Sequence, residues 1–226
     1  MQSKKIIENI HSIYDEYAVP QNVRMHMMRV AAVAEIICDN INPKIDSSDL
    51  VAVSLIHDLG NIVKFDFSHK EKILLLEKKD RENIEFLKKK QKEFFEKYGE
   101  NDIVANKLIA EEIGVNKRVL YLLKNKEIEY SETNFWVNDL ELMILFYTDL
   151  RVAPRGVTSM KKRIEEYAKR NLFEKDPLQA EKSKKFTIFA LDIEKKIFAH
   201  LNFKPNYITN KIIEKYVKKY QKNLEL

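Results

Sequence analysis

Apolar residues recur along this chain at intervals of three and four, the spacing that places them on one face of a helix. The first such stretch covers 4–17 and stops before Pro20. From Asn22, the expected N-cap, to about Asp39, the apolar face reads Val23, Met27, Val30, Ala31, Ala34, Ile37, Cys38 and Ile41, with Pro43 as the stop. The segment DLVAVSLIHDL follows Ser47 and Ser48, two good N-cap residues, and is apolar at nearly every position. That predicts a central helix buried on all sides. Gly60 stands where a C-cap glycine belongs, which puts His57 and Asp58 in the last turn. Residues 61–80 read as a loop with a short helix over KEKILLLEKK. A helix over about 81–98 turns Ile84, Leu87, Phe94, Phe95 and Tyr98 inward and ends at Gly99. Asn101 or Asp102 caps the next, with Val104, Leu108, Ile109 and Ile113 inward and Gly114 as its stop. A short helix over 116–125 follows. Asn138 is the expected cap of DLELMILFYTDL, a second strongly apolar helix ending near Asp149, ahead of Pro154. Helices over about 157–170, 178–201 and 208–222 complete the chain.

No stretch alternates as a strand would, and 226 residues with 4 glycines and 5 prolines hold too few turn formers for a sheet-rich fold. The expectation is an all-α protein: a helical domain over 1–175, with C-terminal helices over 176–226 packed on it or appended to it. Cys38, the single cysteine, excludes a disulfide framework and a CxxC metal site. No signal peptide and no membrane-spanning run is evident, so a cytoplasmic setting is expected. The net charge of +5 comes from lysines interleaved with glutamates, as in KKDRENIEFLKKKQKEFFEK. Mixed-sign runs of this kind mark solvated helix surface, so nucleic acid is the less favoured partner.

Two ionisable residues are out of place in this pattern. Asp58 and Asp149 each fall at the C-terminal end of a strongly apolar helix, where the helix dipole costs a carboxylate about 0.3–1 kcal/mol and burial costs more. No lysine or arginine lies within either apolar helix to offset this. His57 adjoins Asp58, and His26 shares the apolar face of its own helix. A divalent ion bound by both imidazoles and both carboxylates would turn the cost into a gain. Local readings stay open: Asp58 as a cap, Asp149 paired with Arg151 or Arg155, His57 bonded to a backbone carbonyl.

His26 in RMHMMRVAAVAE, His57 and Asp58 in LIHDLGN, and Asp149 in YTDLRVAP together resemble the HD-domain superfamily of metal-dependent phosphohydrolases, over about residues 20–155. The resemblance implies an all-helical bundle with those four side chains holding the metal between helices. It also implies that water activated by the metal attacks a phosphate ester. Family substrates include nucleoside monophosphates, deoxynucleoside triphosphates, guanosine polyphosphates and cyclic nucleotides, which points to a small phosphorylated substrate, a nucleotide above others. Two departures matter. Asn61 occupies a position where many members carry lysine or glutamate, and an amide cannot act as acid or base. Only His69 lies between the His-Asp pair and the last aspartate, so one metal is expected and His69 is read as a surface residue.

The mixed nitrogen–oxygen donor set suits manganese, iron, cobalt, nickel or zinc, and magnesium less well. Asp58 is the candidate to orient or deprotonate the attacking water. Arg151, Arg155, Lys64 and Arg24 are candidate phosphate-binding cations, and Tyr147, Trp136 and Phe67 are aromatics near the motifs that could stack on a base. The alternative is a catalytically weak or inactive HD-type module that binds a nucleotide or RNA in a regulatory role.

Overall fold

The computed structural model describes residues 2–74, 76–126, 139–170 and 177–222. The fold is all-α, and among the described residues the one departure is a two-stranded hairpin. Its first predicted helix is broken at Asn9 into α1 (Ser3–Glu8) and α2 (Ile10–Glu16), and α3 runs Gln21–Asn40. Pro20, not Asn22, holds the N-cap position of α3, and its carbonyl accepts from the Val23 and Arg24 amides. Proline suits this place because its φ is preset.

Helix α4 (Ser48–Ile56) is the hub. Every residue from Leu50 to Ile56 is buried, and α4 packs against α1, α3 and the two later helices that follow Asn116 and Asp139. Its cap is assisted from outside: Asp46 Oδ1 accepts from the Ser48 amide at 2.9 Å. The helix stops one residue short of His57, so His57 and Asp58 lie in the turn beyond α4 rather than in its last turn. A 3₁₀ helix at Asn61–Lys64 follows.

Short helices α5 (Lys70–Ile73) and α6 (Lys78–Glu82) lead into α7 (Ile84–Tyr98), α8 (Asp102–Ile113) and α9 (Lys117–Asn125). Gly99 and Gly114 end α7 and α8 with φ of 81° and 72°, as expected. Asn101 caps α8 and Asn116 caps α9 through side-chain oxygens. The inward face of α8 differs from expectation: Ala105, Asn106, Ile109 and Ala110 are buried, whereas Val104 and Leu108 are exposed. Helix α10 (Leu140–Arg151) is capped by Asp139, whose Oδ1 accepts from the Glu141 and Leu142 amides at 3.1 Å each; the predicted cap, Asn138, lies outside the described residues. Strands β1 (Val152–Ala153) and β2 (Gly156–Val157) pair antiparallel, with Val152 opposite Val157. Helices α11 (Met160–Arg170), α12 (Pro177–Phe198) and α13 (Asn210–Lys222) complete the fold, α13 packing along α3. No helix among the described residues is long and apolar enough to cross a membrane.

Candidate metal centre

Three elements bring four predicted side chains together. Helix α3 supplies His26, the turn after α4 supplies His57 and Asp58, and the last turn of α10 supplies Asp149. His26 Nε2 lies 3.0 Å from Asp149 Oδ1 and 3.9 Å from Asp58 Oδ2. His57 Nε2 lies 3.5 Å from Asp149 Oδ1 and 3.7 Å from Asp58 Oδ2. His26, His57 and Asp58 each offer a ligand atom within 4.8 Å of the others, and Asp149 joins through the two imidazoles.

Local contacts fix these groups in place. His57 is fully buried, and its Nδ1 donates to the Ser54 carbonyl at 2.8 Å. A carbonyl only accepts, so Nδ1 carries a proton and Nε2 is the ring nitrogen turned to the cluster, a lone pair whenever the ring is neutral. That Nε2 is buried with no hydrogen-bond partner among the described residues. A buried orphan acceptor facing two carboxylates is unfavourable without a bridging proton or metal. The turn itself is fixed by backbone contact. The Gly60 amide donates to Asn106 Oδ1 at 2.6 Å, and a Cβ on Gly60 would sit 2.8 Å from Ala105 Cβ. Gly60 is therefore not a left-handed C-cap, its φ being −83°, but a point where α8 approaches the turn too closely for any side chain.

Electrostatics agrees with the geometry. Burial alone lowers the pKa of His57, yet the Asp58 and Asp149 carboxylates outweigh it and the net shift is upward. Burial raises both carboxylates; His57 chiefly, with Lys126 and His26 at Asp58 and His26 at Asp149, reverses this and leaves both below the ordinary carboxylate range. The effect at Asp149 is the larger, although its side chain is 39% exposed against 16% for Asp58.

The predicted cations are placed elsewhere. Arg151 is buried, and its guanidinium donates to the backbone carbonyls of Thr158, Pro205 and Ile208. Arg24 donates to Val19 O, Tyr14 O and Asp15. Lys64 is held by Asp102 at 2.7 Å. Arg155 is exposed and lines a surface groove of about 510 Å³ with Met25, Arg29 and residues of α13. His69 is exposed and bonded to Asp66 and Ser68. Tyr147 is a core residue packed on Phe198, Phe67 stacks on Phe65, and Trp136 lies outside the described residues.

One cation was not anticipated. Lys126, just past α9, reaches the cluster with its Nζ 3.6 Å from Asp58 Oδ1 and its side chain only 9% exposed. In the sequence it is one of two near-adjacent lysines in LKNKE, and no spacing distinguishes it from Lys124, which pairs with Glu111. Asn61 is also buried here, its amide N–H on Asp58 O at 3.1 Å and its Oδ1 without a partner.

Searches of curated proteins and of solved structures return no match to this chain. A scan against protein-family models matches the HD domain over residues 23–146, a span that opens just before His26 and holds the His57–Asp58 pair. Matched over more than half its length, and with His26, His57 and Asp58 gathered at one point, the chain belongs to the HD-domain family.

Proposed function

We propose that the protein is a metal-dependent phosphohydrolase that binds one divalent ion through His26, His57, Asp58 and Asp149 and cleaves a phosphate ester, with a nucleotide as the substrate class. The observation that carries this reading is the buried Nε2 of His57, without a hydrogen-bond partner among the described residues, its ring held by the Ser54 carbonyl and aimed at two carboxylates and a second imidazole. Two nitrogens and two carboxylates favour manganese, iron, cobalt, nickel or zinc over magnesium. The ion, when bound, supplies a Lewis acid and lowers the pKa of water at neutral pH.

The chain's own residues perform the remaining tasks. The Ser54 carbonyl holds the His57 ring in one tautomer and orientation. Asp58, lowered in pKa and ionised at neutral pH, turns Oδ2 to the imidazoles, and its Oδ1, which faces Lys126, is the oxygen that orients a water once the lysine turns to substrate. Burial of the turn by α4 and α8 keeps bulk water from His57. Asn61, neutral at every relevant pH, takes no part in proton transfer.

The test is turnover by the full-length protein. Nucleotides and simple phosphate esters are screened with manganese, cobalt, nickel or zinc added, wild type beside Asp58→Ala. Phosphate release by wild type, reduced about 10²- to 10⁴-fold in the variant, is expected. Equal release by both would mark a contaminant and reject the proposal.

A further inference from the structure

We infer that Lys126 is the substrate-binding cation of this centre, the group that holds the phosphate being cleaved. This rests on the phosphohydrolase reading and goes beyond it. The argument is one of charge and position. The carboxylates of Asp58 and Asp149 cancel the two charges of a divalent ion, so the ligands and the ion alone make a neutral centre. A phosphate monoester is close to a dianion at neutral pH, and a neutral centre offers it no net attraction. Phosphoryl transfer needs positive charge at the non-bridging oxygens. Three of the four cations expected from the sequence cannot supply it as placed: Arg151 and Arg24 spend their guanidinium groups on backbone carbonyls and Asp15, and Lys64 is held by Asp102. The fourth, Arg155, opens onto a groove shared with α13.

Lys126 is different in burial and in aim. The Lys126 side chain is only 9% exposed, and its ammonium faces Asp58 Oδ1. The two imidazoles face the other oxygen, Asp58 Oδ2, at 3.9 and 3.7 Å. The carboxylate thus stands between the lysine and the ligand cluster. The oxygen–oxygen span of a phosphate is close to that of a carboxylate. A phosphate lying alongside Asp58 would therefore meet the ion pocket at one oxygen and the ammonium at another. The flexible lysine stem allows Nζ to shift from Asp58 to the phosphate without moving the backbone.

A structural counter-ion for Asp58 would behave otherwise, and the two roles differ in sign. Full-length wild type, Lys126→Met and Lys126→Arg are loaded with manganese, and inorganic phosphate is titrated into each by calorimetry. Manganese affinity is measured separately by thermal shift. For a phosphate-binding lysine, Lys126→Met weakens phosphate binding roughly 10- to 100-fold, Lys126→Arg restores part of it, and manganese binds Lys126→Met at least as tightly as wild type, because a neighbouring positive charge has gone. Phosphate binding that is equal in wild type and Lys126→Met overturns the inference while leaving the phosphohydrolase reading intact, and so does weakened manganese binding in Lys126→Met with phosphate affinity unchanged. Wild type that takes up no manganese removes the reading and the inference together.

Discussion

His57 sets how the centre responds to pH. Its ordinary value is about 6.5, and the paired carboxylates raise it despite complete burial. A raised pKa stabilises the metal-free fold fully below about 6.5, and the contribution is lost as pH rises through the folded-state value. The carboxylates have the opposite sign. Asp58 and Asp149 are depressed, so they stabilise above the ordinary carboxylate range, and that stability is lost as pH falls through their folded values. The melting temperature of metal-free protein should therefore decline as pH rises above about 6.5 through the folded-state value, and His57→Gln should flatten that decline. Identical profiles for the two proteins would show that His57 is not coupled to the carboxylates. Manganese must displace the His57 proton, so its affinity should rise over the same interval. The four candidate side chains stand out in the sequence one by one, because a carboxylate ending an apolar helix and an imidazole on an apolar face break the pattern around them. Lys126 breaks no pattern, since lysines beside glutamates are ordinary at a helix end, and only the fold brings it to Asp58.

Helices were legible where local chemistry ends them. Asn101, Asn116, Gly99 and Gly114 act through neighbours in sequence, and each marks a boundary where expected. The inward face of α8 was legible only in part: Ile109 is buried and Ile113 packs against the core as expected, whereas Val104 and Leu108 are exposed, and Gly60 bears on the difference. The helix comes so near the turn after His57–Asp58 that Ala105 lies against Gly60, and the bulkier Val104 and Leu108 are left outside. Counting large apolar residues selects the wrong face whenever backbones approach closely. Gly60→Ala should accordingly cost about 1–3 kcal/mol in chemical denaturation, as overpacking does, and should lower manganese affinity by moving the turn. A variant as stable as wild type would mean that α8 can retreat freely from the turn.

The chain is drawn into one body by contacts that span its length. His11 Nε2 bonds to the Tyr220 carbonyl at 2.6 Å, Tyr220 Oη donates to Glu35, and Arg151 gathers carbonyls on both sides of α12. Such contacts depend on which helix ends converge, and hydrophobic period carries no record of that. The same holds for the candidate centre, where His26 and Asp149 meet at 3.0 Å across 123 residues of chain. An ion there is a reversible cross-link. It fastens α3, the turn after α4 and α10 at one point, and by mass action it adds about 2.7 kcal/mol at a hundred times its dissociation constant. Saturating manganese should raise the melting temperature by several degrees, and a chelator should return it to the metal-free value. Because the clasp joins segments so remote in sequence, losing the ion would loosen the whole bundle and not the site alone, so the protein's resistance to proteolysis should rise and fall with metal supply.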